Sequence, residues 1–275
     1  MAEISALNIF HSGLARSWPI DDPGADFNQG PDPMQNLTII LVEPQQPGNI
    51  GMVCRALANF GVSDLRLVNP CEHQHPEARK FAVAAGQLLD GARLFATLPE
   101  ALADLQLSVA TTRRQGRFRG ELLDSTELSQ RLAELPSATR IGLVFGREDA
   151  GLTSEEVAAC SLAATVATSS EQGSLNLAQA VLLFLYELSR QPPQPVTDAT
   201  RELPEQKELD GLYRQIDEVL TRIAFINPSR PEAVRHRVRQ LFNRIGPDKE
   251  EVAFLRGMWS QIASSVNDWV GRRRG

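Results

Sequence analysis

The chain has 275 residues, 42% of them hydrophobic, with 28 Lys and Arg against 34 Asp and Glu and a formal net charge of −6. That content suffices for one good core and a smaller appendage, no apolar run approaches the roughly 20 residues that cross a bilayer, and the N-terminus lacks the order of a signal peptide. Cys54, Cys71 and Cys160 lie far apart with only four histidines beside them, which points to neither a metal site nor a disulfide framework and predicts a reduced, cytoplasmic protein.

Residues 1–33 are rich in Gly, Pro, Asp and Asn, show no periodicity and carry a net charge of −4, leaving −2 for the rest. They read as a flexible leader. Met34 then opens the stretch MQNLTIILVEP, the expected start of the folded part. From there short β-branched and leucine-rich runs alternate with helical patterns. The strands expected are Leu37–Val42, Leu65–Val68, Ala92–Phe95, Leu107–Thr111, Ile141–Phe145 and Ala163–Ala167. Helices are expected at Asn49–Phe60, Pro76–Asp90, Pro99–Leu105, Ser125–Leu135 and Thr153–Ala159, the last opened by a capping box from Thr153 to Glu156. Such alternation predicts an α/β fold with a parallel sheet covered on both faces.

A further helix, expected from Ser174 to Arg190 with Ser174 as its cap, contains the run VLLFLYEL, which is apolar nearly all round and must be buried on nearly all sides. The prolines of QPPQPVTDAT end it and make residues 191–203 a linker. Residues 204–275 show helical period without a strand pattern, with Leu209, Leu212, Ile216, Val219, Leu220 and Ile223 on one stripe. They predict a small all-α C-terminal domain. Its arginines Arg222, Arg230, Arg235, Arg237, Arg239 and Arg244, like Arg113, Arg114, Arg117 and Arg119 in an earlier loop and Arg272 to Arg274 at the end, are clustered as phosphate ligands are. Solvated helix faces would produce the same pattern.

In an open parallel sheet, ligands bind outside the C-terminal ends of the strands. After the first strand comes EPQQPGNIGMVCRAL, where Gly48 and Gly51 flank a helix start that could seat an anion and Arg55 lies two turns in. After the fourth comes TTRRQGRFR, and after the fifth FGREDAGLT, in which Arg147 and Glu148 could pair with each other. After the sixth comes SEQGSLNLAQA. Neither the dinucleotide fingerprint nor the P-loop pattern occurs. A ligand site formed by these loops is the expectation.

PGNIGMVCRALANFG, LVFGREDAGLT and SLNLAQAV resemble, in order and spacing, the three motifs of the SPOUT methyltransferases, and in particular the TrmJ branch of bacterial tRNA ribose methyltransferases that act on the pyrimidine at position 32 of the anticodon loop. The likeness covers residues 34–190, and RQLFNRIGPDKEEVAFLRG resembles the helical extension of that branch. It implies a SPOUT fold with a C-terminal trefoil knot, an S-adenosyl-L-methionine site without a metal, a homodimer and a tRNA substrate. The cofactor residues it implies are Thr111, Thr112 and Arg113 on one side, Gly146 beneath, Val166 beside the adenine, and Gly173, Ser174 and Leu175. Arg113 departs from the small residue expected there. Arg55, Asn49, Glu148 and Asn176 are the implied catalytic set, with Arg55, Arg114 and Arg147 toward RNA. A guanidinium, with a pKa above about 12, is a poor base, so Arg55 is read as binding the target phosphate and polarising the hydroxyl. A same-fold enzyme for another tRNA or rRNA nucleotide, or a catalytically silent RNA-binding dimer, fits the same motifs.

Overall fold

A computed structural model of the protein describes residues 34–113, 122–169, 174–190 and 201–266. The strands are β1 (Leu37–Val42), β2 (Asp64–Val68), β3 (Arg93–Phe95), β4 (Leu107–Thr111), β5 (Leu122–Asp124), β6 (Ile141–Phe145) and β7 (Leu162–Thr165). All pair in parallel in one seven-stranded sheet of order β3-β2-β1-β6-β4-β7-β5. The helices are α1 (Pro47–Asn59), α2 (Pro76–Ala82), α3 (Gly86–Asp90), α4 (Leu98–Leu102), α5 (Ser125–Ala133), α6 (Ser154–Ala159), α7 (Leu177–Ser189), α8 (Gln206–Arg222), α9 (Pro231–Ile245) and α10 (Lys249–Ser265).

The sequence LTIILV of β1 is buried at every position, as a central strand covered on both faces must be. Alternate residues point to opposite faces. Ile39 and Leu41 join the core beneath α1 and α7, while Ile40 and Val42 join a second cluster with Leu98 and Leu102 of α4 and Val157 of α6. Because β1 pairs with β2 on one side and β6 on the other, the strand order reverses there. The loops after β1, β6, β4 and β7 therefore emerge side by side on one edge.

Three expectations are corrected. β5 was not anticipated: it is a three-residue edge strand in which only Leu123 is buried, too short to show a period. The helix expected over Pro76–Asp90 breaks at Val83, whose φ of 54° lies in the left-handed region, into α2, a 3₁₀ turn and α3. The helix expected from Ser174 begins at Leu177, and its cap is Asn176, whose Oδ1 accepts from Ala178 N–H at 2.9 Å and Gln179 N–H at 3.4 Å. Asparagine closes the capping box with Gln179, an option Ser174 lies too far upstream to use.

Gly48 and Gly51 are packing glycines. A Cβ on Gly51 would lie 2.1 Å from the Ala78 carbonyl oxygen and 3.0 Å from Ala82 N, so α1 and α2 approach here at backbone distance. Gly51→Ala is expected to destabilise the protein by about 1–3 kcal/mol, the range for overpacking a well-filled core. A thermal melt of the variant is the check, and an unchanged midpoint would contradict the close approach.

Helices α8 to α10 have a core of their own around Leu209, Leu212, Tyr213, Ile216, Phe242 and Val252. They are tied to the sheet unit by Gln206 N–H donating to Leu105 O at 2.7 Å, Lys207 N–H to Ala103 O at 3.1 Å, and an Arg140–Glu205 ion pair at 2.8 Å. Among the described residues no helix is long and apolar enough to cross a membrane. The leader at 1–33, linker residues 191–200, Arg114, Arg117, Arg119, Gly173 and Arg272 to Arg274 lie outside the described residues.

Candidate functional site

The loops after β4, β6 and β7 and the start of α7 enclose an open cleft. Of the expected cofactor residues, Thr111, Thr112, Arg113, Gly146, Val166, Ser174 and Leu175 line it. At Gly146, which lines it, the backbone is closely approached: a Cβ there would lie 2.2 Å from Gly151 C and 2.3 Å from Leu152 N. The loop folds back on itself at that point, with Gly151 N–H donating to Arg147 O at 2.9 Å and Arg147 N–H to Gly151 O at 3.3 Å. Gly151 sits at φ 68°, where a side chain would be strained.

Three distant segments meet through a chain of hydrogen bonds. Asn176 Nδ2 donates to Asn49 Oδ1 at 2.9 Å, and Asn49 Nδ2 donates to Glu148 Oε1 at 2.9 Å. The Glu148 carboxylate also accepts from Gln45 N–H at 2.8 Å and Gln46 N–H at 3.2 Å. Gln46 is the N-cap of α1 but makes no side-chain cap bond. Glu148 binds the two backbone N–H groups that lead into the helix and the Asn49 side chain of its first turn, which places a negative charge near the positive end of α1. The protein's own carboxylate thus lies against the entry to the helix start read as an anion seat. Asn49 is 3% exposed, and both its side-chain termini are bonded.

Arg147 does not pair with Glu148. Its Nε donates to Glu43 at 2.8 Å and its terminal nitrogens to Glu156 at 3.0 Å, leaving the side chain 16% exposed. The expected pairing with Glu148 is corrected accordingly, and the two carboxylates already take both faces of the fork that was expected to turn toward RNA. Hydrogen bonds from Glu156 and Glu43 push the Arg147 pKa up. The Arg147 hydrogen bond holds Glu43 below the usual carboxylate value. For Glu156 burial pulls upward, but the Arg147 and Thr153 bonds with the Arg147 charge outweigh it and the net direction is down.

Folded-state values below the ordinary glutamate value of 4.5 mean that this stabilisation is complete above about pH 4.5 and is lost as pH falls through the lowered values. Stability is therefore expected to fall below pH 4.5 less steeply in Glu156→Gln than in wild type. Denaturant midpoints across that window check it, and identical slopes would count against it.

Arg55 is exposed on α1 and, among the described residues, has no ion pair. It does not line the cleft of its own chain. Residues missed in the sequence include Phe145, Asp149, Leu152, Thr165 and Thr168, which sit in or beside the recognised loops, and Leu177, Ala180 and Phe184 of α7. The last three repeat at helical spacing, so the period of α7 could have disclosed them.

In the comparisons with known proteins, the SpoU rRNA Methylase family matches residues 36–186, and the C-terminal domain of tRNA methyltransferase TrmJ matches residues 207–269. The tRNA (cytidine/uridine-2'-O-)-methyltransferase TrmJ of Cronobacter sakazakii is 35% identical over 243 residues, covering 86% of this chain and 99% of the relative. The crystal structure of TrmJ from Z. mobilis ZM4 matches with a TM-score of 0.71 at 33% identity, over 82% of this chain and 98% of that one. A methylase family protein from Neisseria gonorrhoeae matches with a TM-score of 0.60 at 31% identity, over 68% and 96% of the two chains. With both of its segments matched in order and the relatives covered almost end to end, the chain belongs to the SpoU methylase family and, within it, to the TrmJ RNA methyltransferases.

Proposed function

We propose that the protein transfers a methyl group from S-adenosyl-L-methionine to the ribose 2′-OH of a pyrimidine, C or U at position 32, in the tRNA anticodon loop. The observation that carries this reading is the Asn176–Asn49–Glu148 chain, which joins the three resembling motifs in one place beside the cleft. The cleft fits a nucleoside-bearing cofactor: Val166, Leu175 and Leu152 offer apolar walls, and the ends of β4, β6 and β7 offer main-chain groups around Gly146. When bound there, S-adenosyl-L-methionine supplies an electrophilic methyl, so the protein has mainly to hold and orient the hydroxyl.

Arg55 binds the target phosphate and polarises the hydroxyl. Asn49, Glu148 and Asn176 act through position, since their polar atoms are spent on one another and on the two helix starts. Residues 34–190 form the methyl-transferring unit, threaded as a trefoil knot, and residues 204–275 an RNA-binding unit, with 1–33 as a leader. The experiment is methyl transfer by the purified protein to tRNA transcripts followed by mass mapping of the modified ribose. Absence of transfer refutes the activity, and transfer elsewhere refutes the position.

A homodimer accounts for two features together. Leu182, Leu183 and Tyr186 on α7 are 42%, 36% and 49% exposed, and Phe81 and Val83 at the end of α2 are 36% and 65% exposed. Both helices pack on α1, which carries Arg55. A second copy covering these side chains would also supply Arg55 to a cleft that lacks it. Phe184 and Leu185 are 2% and 0% exposed in the single chain, so their substitution tests folding, whereas Leu183 tests association. Leu183→Glu is expected to yield monomers by light scattering and to lose methyl transfer. A variant that stays dimeric removes α7 from the interface.

A further inference from the structure

We propose that a second RNA contact lies in the groove between α9 and the β5–β7 edge of the sheet, where it takes a phosphodiester of the tRNA backbone; this rests on tRNA being the substrate. Helices that dock on another unit turn an apolar stripe toward it. Helix α9 does the reverse. His236, Arg239, Gln240, Asn243 and Arg244 recur at helical spacing along the face that lines the groove, while Leu241 and Ile245 on the same helix are 43% and 56% exposed.

From the opposite wall, α5 contributes Arg131. No carboxylate lines the groove among the described residues, in a chain where acids outnumber bases. Its volume of about 330 Å³ is room for a phosphate with its sugar rather than for one or two bridging waters.

The arginines are not equivalent. Arg239 is held by Asp210 at 3.0 Å and lies 4.5 Å from the Tyr213 ring centre, so its charge is already balanced. Elsewhere Arg222 is paired with Glu218 and Arg235 with Asp217 and Glu232. Arg131 and Arg244 are exposed and carry no ion pair among the described residues. They stand on different units and converge on one groove, which Asn243 pins by donating to Ser161 O at 3.0 Å. A phosphate bridging Arg131 and Arg244 would set the helical unit and the methyltransferase unit against the same strand of RNA.

The test uses the full chain with Arg131→Gln and Arg244→Gln, singly and together, and reads tRNA affinity against salt concentration. Loss of the one bridged phosphate in the double variant is expected to reduce the slope of log K against log salt by about 0.7–0.9, and each single variant, which keeps one arginine on that phosphate, should reduce it by less. KM for tRNA should rise with kcat and S-adenosyl-L-methionine affinity unchanged, and Arg244→Lys should keep the wild-type slope. A double variant with the wild-type slope overturns the groove even if methyl transfer is intact. Wild-type protein that binds tRNA but transfers no methyl group would instead overturn the proposed activity, leaving the slopes of the variants to decide the groove.

Discussion

Arg55→Ala is expected to lower methyl transfer by on the order of 10²–10³-fold, the loss seen when one positioned electrostatic group is taken from a transition state. The side chain is exposed, makes no ion pair among the described residues and does not line the cleft of its own chain. Removing it should leave stability within about 0.5 kcal/mol. S-adenosyl-L-methionine affinity, measured by calorimetry, should stay within a few-fold. Arg55→Lys keeps the charge but not the planar fork, and should recover only part of the rate. Near-normal turnover of the alanine variant would remove Arg55 from the chemistry, and a matching loss of cofactor affinity would move it into the cofactor site.

Gly146→Ala is expected to abolish cofactor binding through the backbone alone. The added Cβ would meet Gly151 C at 2.2 Å and Leu152 N at 2.3 Å, and both are main-chain atoms that cannot rotate away. The loop from Arg147 to Gly151 must open, and it carries with it Glu148, the acceptor for Asn49 and for the start of α1. A displacement near 1 Å at such a site costs about 10²-fold in rate. Overpacking adds about 1–3 kcal/mol of destabilisation. Calorimetry with S-adenosyl-L-methionine beside a thermal melt separates the two effects. A folded variant that binds the cofactor normally would show that the loop can widen without cost to the site.

The alternation of strands and helices was legible because parallel strands buried on both faces must be near-continuous apolar runs, and β1 and β6 are such runs. β5 was not, since three residues with one buried side chain carry no period. The break at Val83 was hidden for a different reason: the segment KFAVAAG reads as good helix, and what interrupts it is a left-handed backbone angle at a valine, which no local preference favours.

At the site, the loops were legible and the partners of their side chains were not. Sequence order carried Asn49, Glu148 and Asn176 as polar groups at loop ends. That the first and last lie 127 positions apart yet share a hydrogen bond of 2.9 Å is a property of the sheet order, which puts the ends of β1, β6, β4 and β7 together. Adjacency misled in the case of Arg147 and Glu148. The loop turns at Gly146 and Gly151 send the arginine to Glu43 and Glu156 and the glutamate to α1.

The amino-acid sequence by itself determined most of the element types, the parallel sheet, the loops that form the cleft and the family, because these depend on hydrophobic period and on short contiguous motifs. Only the tertiary structure decided which charges are free. Arg55, Arg131 and Arg244 have no ion pair among the described residues while Arg147, Arg222, Arg235 and Arg239 are paired, a difference invisible in composition. A guanidinium is available to a phosphate only where the fold brings no carboxylate within reach, and that is set by long-range packing, not by the neighbours along the chain.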